Sequence, residues 1–176
     1  YLRPLEPGAD FVLHSATKFL GGHHDVLLGA VVCKTRDDYE QLLQFRTRSG
    51  IVAAPDAAWL LRRSLETLEL RMRRHTENAT EIAQKLQAHR AVERVRYPGF
   101  GGLLSFDVAG GAEAAQRVER SVRSIKNATS LGGTRSVLET RARWEGDRVP
   151  ENLVRLSVGL EDPGEIWADL EQALGG

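Results

Sequence analysis

The sequence contains a single cysteine, Cys33, among its 176 residues. One thiol cannot form an internal disulfide, so the class of small secreted domains held together by disulfides is excluded. No uncharged apolar run approaches the roughly 18 residues that a membrane-spanning helix needs, and no membrane span is predicted. No signal peptide is visible, so a reducing cytoplasm is the expected location.

An excess of charge of either sign is also absent, because 24 basic residues balance 24 acidic ones. Proteins that bind nucleic acid or an anionic membrane surface usually carry a basic footprint, and none stands out here. We therefore expect neither nucleic acid nor a membrane as a partner. The 41% hydrophobic content is enough to bury the core of one domain or of two small ones.

Four metal-ligating side chains lie close together in the sequence after the first apolar run. His14, His23, His24 and Asp25 form one candidate cluster. Adjacent histidines in a glycine-containing loop rarely point at the same ion, so no metal site is predicted. Cys33 lies in an apolar run and is predicted to be a buried, unreactive thiol.

The apolar pattern predicts alternating strands and helices. Residues 11–14 and 30–33 are predicted to be short buried strands of a parallel sheet, with a helix starting at residues 37–39. From about residue 56 the spacing is helical, with a break expected near residues 67–71. Further strands are predicted at residues 92–96, 103–108, 124–128 and 153–158, and helices at 112–122 and 163–174. This order favours a small α/β or α+β sandwich.

A lysine among hydroxyls and glycines follows the first predicted strand. Ser15 and Thr17 flank Ala16 just before Lys18, and two glycines follow at residues 21–22. Hydroxyls and the N–H groups of a tight turn can bind a phosphate, while a desolvated lysine can condense with an aldehyde. The residues therefore suit a phosphorylated carbonyl cofactor. The same residue types also describe an ordinary strand-to-loop junction with a solvated lysine.

The wider pattern is more specific. Residues 8–25, GADFVLHSATKFLGGHHD, followed by GAVV at 29–32, resemble the lysine signature of the pyridoxal-phosphate enzymes of cysteine and methionine metabolism. Further segments resemble that family in the same order along nearly the whole chain. They are LETLELRM (65–72), YPG (97–99), FGGLLSF (100–106), SLGG (130–133) and LVRLSVGLED (153–162).

The resemblance implies a role for each matched residue. Lys18 would be the catalytic Schiff-base lysine that holds pyridoxal 5'-phosphate, and Ser15 and Thr17 would bind its phosphate. Ser130 and Arg155 would bind the α-carboxylate of an amino-acid substrate. From the residues alone, Arg155 could be a surface arginine and Ser130 a turn residue, although an inward-facing charge at residue 155 would need a partner such as a ligand carboxylate.

The resemblance also implies an architecture. Residues 1–66 would be the end of a fold-type I, aspartate-aminotransferase-like cofactor domain, and residues 67–176 a small C-terminal α/β (α+β) sandwich domain. In such enzymes the acidic partner of the pyridine nitrogen and a stacking aromatic lie upstream, so the chain, which opens on Tyr1, is expected to be a C-terminal portion. A homo-oligomer, a dimer of dimers, is implied as well.

The implied activity is elimination or replacement at the γ- or β-carbon of a sulfur-containing or homoserine-derived amino acid. Two alternatives remain open on the sequence. One is a catalytically incomplete fragment that acts as an assembly module. The other is a non-covalent binder of phosphorylated metabolites, which would use Ser15 and Thr17 without needing a reactive Lys18.

Two departures from the family pattern leave the reaction subtype open, and a third supports the expectation that the chain is a portion of a longer protein. Thr129 stands where members that make or cleave cystathionine often have glutamate. Residues 139–147, ETRARWEGD, are shorter and more charged than the family's His-Pro and Met-Thr-His segment, which would reshape the substrate entrance. Gly99 and Phe100 join motifs that a longer insertion usually separates, either because the loop is naturally short or because a segment has dropped out of the numbering.

Overall fold

The computed structural model describes residues 2–175, which fall into two compact units divided between Leu68 and Glu69. The domain boundary predicted after residue 66 lies just before this division. The first unit contains two strands and two helices: β1 (Phe11–Ser15), β2 (Gly29–Cys33), α1 (Arg36–Ser49) and α2 (Pro55–Leu65).

The two strands of the first unit are antiparallel, so the prediction of buried strands in a parallel sheet is wrong for this pair. Phe11 lies opposite Cys33 and Ser15 opposite Gly29. The chain reverses after β1 and returns alongside it, and within residues 2–175 each strand has only the other as a neighbour. Leu13 is consequently 76% exposed, and Cys33 is half-buried rather than buried.

The predicted helix start and helix break are both confirmed. The side chain of Thr35 accepts a hydrogen bond from the Asp38 N–H at 3.1 Å and caps the first turn of α1. The break falls between α2, which ends at Leu65, and α3, which begins at Leu68.

The second unit is a sheet with helices packed on it. Its five strands are ordered β3-β4-β7-β6-β5, and all neighbours are antiparallel except β5 and β6. Its elements are α3 (Leu68–Ala88), β3 (Val92–Arg96), β4 (Leu103–Val108), α4 (Gly111–Ser121), β5 (Lys126–Asn127), β6 (Val137–Thr140), α5 (Ala142–Glu145), a 3-10 turn (Gly146–Arg148), β7 (Leu153–Ser157) and α6 (Pro163–Leu174).

One face of this sheet carries the apolar core. Side chains of β4, β6 and β7 pack against α3, α4 and α6, with Phe106, Val154 and Leu156 fully buried among them. Ile82 and Leu86 lie on the buried side of α3, as the helical spacing of apolar residues after residue 56 predicts. Strand alternation then points Leu153, Arg155 and Ser157 to the opposite face.

A six-residue connection between β3 and β4 contains the junction of Gly99 and Phe100. The hydroxyl of Tyr97 donates to the carbonyl of Gly101 at 2.9 Å, and the N–H of Gly101 donates to Thr76 Oγ1 at 2.9 Å. These bonds close a compact turn, so the backbone passes from β3 to β4 without needing an insertion. None of the helices in residues 2–175 combines the length and apolar composition that crossing a membrane requires.

The strand predicted at residues 124–128 is only two residues long, Lys126–Asn127. The backbone N–H groups of Arg123, Ser124 and Ile125 donate to the Asp169 carboxylate of α6, at 2.8 to 3.1 Å. Donors that bond to a helix carboxylate cannot join a strand ladder, so the strand starts later than its apolar pattern indicates.

Asp169→Ala is expected to destabilise the protein by about 3 kcal/mol, because it leaves several backbone donors without their acceptor. Burial raises the pKa of Asp169, but the hydrogen bonds from Ile125, Arg123 and Ser124 outweigh that effect and hold the pKa below its usual value. The stabilisation is therefore complete above the unfolded-state pKa, about 3.9, and is lost as the pH falls through the lower folded-state value.

Urea denaturation at neutral and acidic pH measures this effect, with the exposed Glu171→Ala on the same helix as the control. The stability difference between wild type and Asp169→Ala should shrink below about pH 4. An Asp169→Ala protein as stable as Glu171→Ala at neutral pH contradicts the role of this carboxylate.

Candidate active site

The predicted cofactor residues lie at the start of the loop that joins β1 to β2. Ser15 ends β1 and is paired with Gly29. Thr17 Oγ1 accepts a hydrogen bond from the N–H of Leu28 at 3.1 Å, which ties the beginning of the loop to its end. The two ends of this loop are therefore held together.

The backbone around Lys18 forms consecutive tight turns. The Lys18 N–H donates to the Ser15 carbonyl at 3.1 Å, and the Lys18 carbonyl accepts from Gly22 at 2.8 Å. Ala16 is fully buried and anchors the turn. Within residues 2–175 the Ser15 hydroxyl and the Lys18 ammonium form neither a hydrogen bond nor an ion pair, so both groups are available to a ligand.

Gly21 is required by the close approach of two parts of this turn. Its N–H donates to the Ala16 carbonyl at 2.8 Å, and a Cβ at residue 21 would lie 2.7 Å from that same oxygen. Contacts this short force the backbone to move. The turn that carries Lys18 thus depends on a residue without a side chain.

Gly21→Ala is expected to open this turn, to destabilise the protein by about 1–3 kcal/mol and to weaken ligand binding at Lys18. Gly29→Ala is the matched control, because a Cβ there meets nothing within 4 Å. Thermal unfolding and titration with pyridoxal phosphate measure the two effects. Equal behaviour of the two variants would show that the close approach has no role.

No group of three or more His, Cys, Asp or Glu side chains in residues 2–175 is arranged to hold a metal ion. Of the candidate histidines, His23 is engaged with the turn itself. Its Nδ1 donates to the Gly21 carbonyl at 2.8 Å.

A second group of predicted residues lies on the polar face of the five-stranded sheet. Arg155 is at the centre of β7, opposite Ser105 of β4 on one side and Glu139 of β6 on the other. Its side chain is 18% exposed and forms an ion pair with Glu139. Arg155 Nη2 also donates to the carbonyls of Thr129 at 2.7 Å and Ser130 at 3.3 Å.

The remaining donors of Arg155 are unused. Its hydrogen bonds in the described chain all leave from Nη2, so the Nε–H and both N–H groups of Nη1 have no acceptor there. Burial lowers the pKa of Arg155 and the Arg141 charge adds to that effect, whereas Glu139 opposes it. Arginine remains charged under these conditions, and the open donors suit an anionic, planar ligand.

The loop that carries Ser130 is held against the end of β7. The N–H of Gly132 donates to Ser157 Oγ at 2.9 Å, and the N–H of Ser136 donates to Glu161 Oε1 at 2.6 Å. Gly159 permits this approach, because a Cβ there would lie 2.5 Å from the Thr134 carbonyl. The backbone of Ser130 is thus fixed beside Arg155.

The charged segment after Leu138 is anchored as well, through α4. The Thr140 hydroxyl donates to Glu119 Oε2 at 2.9 Å, and Arg143 pairs with Glu119. Arg141 bridges Glu139 at 2.6 Å and Glu145 at 2.5 Å. Within this segment only Glu139 pairs with Arg155, while Arg141 links Glu139 to Glu145 and Arg143 binds Glu119.

The structure thus brings the predicted residues together in two groups. Ser15, Thr17 and Lys18 share one loop of the first unit, and Ser130 and Arg155 are in contact in the second. Glu139 was not predicted as a site residue. Its signal was a charge directly after the apolar pair Val137–Leu138, in a strand of four buried residues, and a buried charge needs a partner.

Comparison with known proteins places this arrangement in a class. The model of the family described as Cys/Met metabolism PLP-dependent enzyme matches residues 1–175. The chain belongs to this family of pyridoxal-phosphate-dependent enzymes.

Particular relatives span more than one activity. Cystathionine gamma-synthase of Mycobacterium tuberculosis is 42% identical over 196 residues, covering 98% of this chain and 50% of that protein. L-methionine gamma-lyase of Pseudomonas deceptionensis is 41% identical over 202 residues, with 98% and 50% covered. The chain spans about half the length of these curated relatives.

A solved structure shows the same fold. The crystal structure of metB from Corynebacterium glutamicum superimposes with a TM-score of 0.94 at 40% identity, covering 98% of this chain and 51% of that one. The α/β fold expected from the resemblance, with the region of a fold-type I enzyme followed by a small α+β sandwich, is therefore confirmed.

Proposed function

We propose that this chain supplies the cofactor lysine and the substrate-carboxylate arginine of a pyridoxal-phosphate enzyme. Its reaction is elimination or replacement at the γ- or β-carbon of a sulfur-containing or homoserine-derived amino acid. Lys18 binds the cofactor covalently, Ser15 and Thr17 bind its phosphate, and Arg155 with Ser130 binds the substrate carboxylate.

The lysine loop fits a phosphorylated carbonyl cofactor. The Ser15 hydroxyl and the Lys18 ammonium are unengaged, and Thr17 uses its oxygen as an acceptor for Leu28, which leaves its O–H to donate to a phosphate oxygen. Gly21 lets the turn stay tight beside them. When bound, pyridoxal phosphate supplies an electron sink for the bond broken at the substrate's Cα. The Lys18 amine would also be the base that moves the Cα proton.

The arginine site carries the proposal, because its open donors point to one chemical group. A half-buried guanidinium whose Nε–H and Nη1 groups lack acceptors is matched by a carboxylate, which can accept from two of these donors. The Ser130 carbonyl accepts from Arg155 Nη2, which places Ser130 beside the same ligand site. An amino acid held there has its carboxylate fixed and its Cα defined relative to the sheet.

The reaction class follows the named relatives. The mycobacterial relative is a cystathionine gamma-synthase and the Pseudomonas relative an L-methionine gamma-lyase, and both are more than 40% identical to this chain. Both names refer to chemistry at the γ-carbon. We therefore favour a γ-substituted substrate, either a homoserine ester that releases its acyl group as a carboxylate or a thioether that releases a thiol.

Product analysis after incubation with pyridoxal phosphate tests the proposal. A homoserine ester with cysteine, cystathionine, and methionine are offered separately. Cystathionine formed from the first pair indicates replacement, whereas a 2-oxo acid with ammonia from any of them indicates elimination. Absence of every product from protein that binds the cofactor would contradict the assigned reaction.

The assembly-module and phosphometabolite alternatives predict other results. A module would bind no pyridoxal phosphate and would show no difference between wild type and Lys18→Ala. A non-covalent binder would retain pyridoxal phosphate and inorganic phosphate equally well without Lys18, because Ser15 and Thr17 would suffice. Covalent capture that depends on Lys18 excludes both.

A further inference from the structure

Glu139 is a buried carboxylate at the centre of the polar sheet face. Its residue is 1% exposed, and it lies directly opposite Arg155 in the pairing of β6 with β7. Burying a carboxylate is unfavourable unless cations and hydrogen bonds compensate it. The partners of the Glu139 carboxylate should therefore explain why a charge is buried at this position.

The carboxylate holds two arginines through one oxygen. Oε1 pairs with Arg155 Nη2 and accepts from Arg141 Nη1 at 2.6 Å. Oε2 is buried and has no hydrogen-bond partner in the described chain. The hydrogen bonds of the Glu139 side chain are therefore made to the two guanidinium groups and not to the backbone.

The contact determines how Arg155 is oriented. Nη2 is directed at Glu139 and at the carbonyls of Thr129 and Ser130, three acceptors on one nitrogen. A planar guanidinium fixed at one nitrogen has its other donors fixed as well, since rotation about the Nε–Cζ bond would break these bonds. The Nε–H and Nη1 groups are thus presented in one orientation before any ligand arrives.

We propose that Glu139 is a positioning residue for Arg155, which orients the open donors of that guanidinium for a carboxylate ligand. The inference rests on the proposed function in one respect, that Arg155 is the carboxylate-binding residue. It adds that a large part of the affinity depends on Glu139, which itself touches no ligand. Preorganised side chains bind more tightly because less conformational entropy is lost on binding.

Acetate is a suitable probe, because it presents a carboxylate without depending on bound cofactor or on turnover. The ¹H–¹⁵N signal of Arg155 Nε–H, identified by its absence from Arg155→Lys, is followed as acetate is added at constant ionic strength. Glu139→Gln removes the charge at nearly the same volume. Glu145→Gln is the matched control, since Glu145 binds Arg141 but makes no hydrogen bond to Arg155.

The expected result is an acetate Kd about 10- to 100-fold higher in Glu139→Gln, a range typical when a supporting residue behind a ligand-binding group is lost. The Nη signals of Arg155 should also average by faster rotation in that variant. Glu145→Gln should stay within about twofold of wild type, as peripheral charges contribute little. The amino-acid KM should rise in Glu139→Gln while kcat changes much less.

Equal acetate affinity in wild type and Glu139→Gln overturns the inference while Arg155 keeps its role. Absence of any acetate response in wild type overturns both, because Arg155 would then bind no carboxylate. If Glu139→Gln does not fold, Glu139→Asp decides the question. It keeps the charge but ends one methylene short, and weaker acetate binding than wild type supports the inference whereas unchanged binding overturns it.

Discussion

Lys18→Ala is expected to abolish covalent capture of pyridoxal phosphate and to lower kcat by at least ~10³-fold, because the same amine holds the cofactor and moves the substrate proton. The backbone hydrogen bonds of Lys18 to Ser15 and Gly22 do not involve the side chain, so the turn should persist. The variant should therefore still fold and bind phosphate. Visible absorption of the cofactor complex and steady-state kinetics measure the two losses.

Lys34→Ala is the matched control for this prediction. Lys34 belongs to the same unit, is 48% exposed and pairs only loosely with Asp10 at 3.8 Å. A surface lysine of this kind should leave both cofactor capture and kcat unchanged. If Lys18→Ala behaves like Lys34→Ala, Lys18 is an ordinary loop lysine and the catalytic proposal fails.

Arg155→Lys is expected to raise the KM for the amino-acid substrate about 100-fold, with a smaller change in kcat. Lysine keeps the positive charge but lacks the planar set of donors that a carboxylate accepts from, so the substitution is not conservative here. It also leaves Glu139, only 1% exposed, with one guanidinium partner fewer. A loss of some stability should accompany the kinetic effect.

Arg120→Lys is the control that shows whether the rise in KM is specific to Arg155 or follows from replacing any arginine by lysine. Arg120 is exposed on α4 and donates only to Gln116, at 3.3 Å. Its replacement should leave KM unchanged. A KM for Arg155→Lys within about threefold of wild type would show that the substrate carboxylate is bound elsewhere, since losing a charged bidentate contact costs far more than that.

Most of the second unit could be predicted from the sequence, because its apolar residues follow the spacing of strands and helices. The strands at residues 92–96, 103–108 and 153–158 and the helix ending at Leu174 lie where the pattern placed them, within a residue or so. β6 was not predicted, since Glu139 interrupts its apolar run and the neighbouring residues are charged. Only the pairing of β6 with β7 shows that this charge is opposite Arg155.

The first unit was harder to predict, because strand pairing depends on contacts distant in sequence. The apolar runs at β1 and β2 resemble buried parallel strands, and only the structure shows that they pair with each other in an antiparallel register. The late start of the strand predicted at residues 124–128 has the same kind of cause, since Asp169 lies more than 40 residues away along the chain.

The candidate site also contains residues that could be predicted from the sequence and residues that could not. Lys18 with its hydroxyl neighbours, and Arg155 with Ser130, could be proposed from short motifs and the family resemblance. The partners that orient them could not, because Thr17 bonds to Leu28 and Arg155 pairs with Glu139 through the fold. Motifs identify residues that can do chemistry, whereas the residues that position them are found by pairing and burial.

The most direct test of the account is to incubate the protein with pyridoxal phosphate, reduce the complex with borohydride and map the modified peptide by mass spectrometry. The account predicts one major adduct, on Lys18, accompanied by a visible absorption band before reduction. An adduct on an exposed lysine such as Lys34, or none at all, would contradict it. The chain would then be an assembly module or a non-covalent binder.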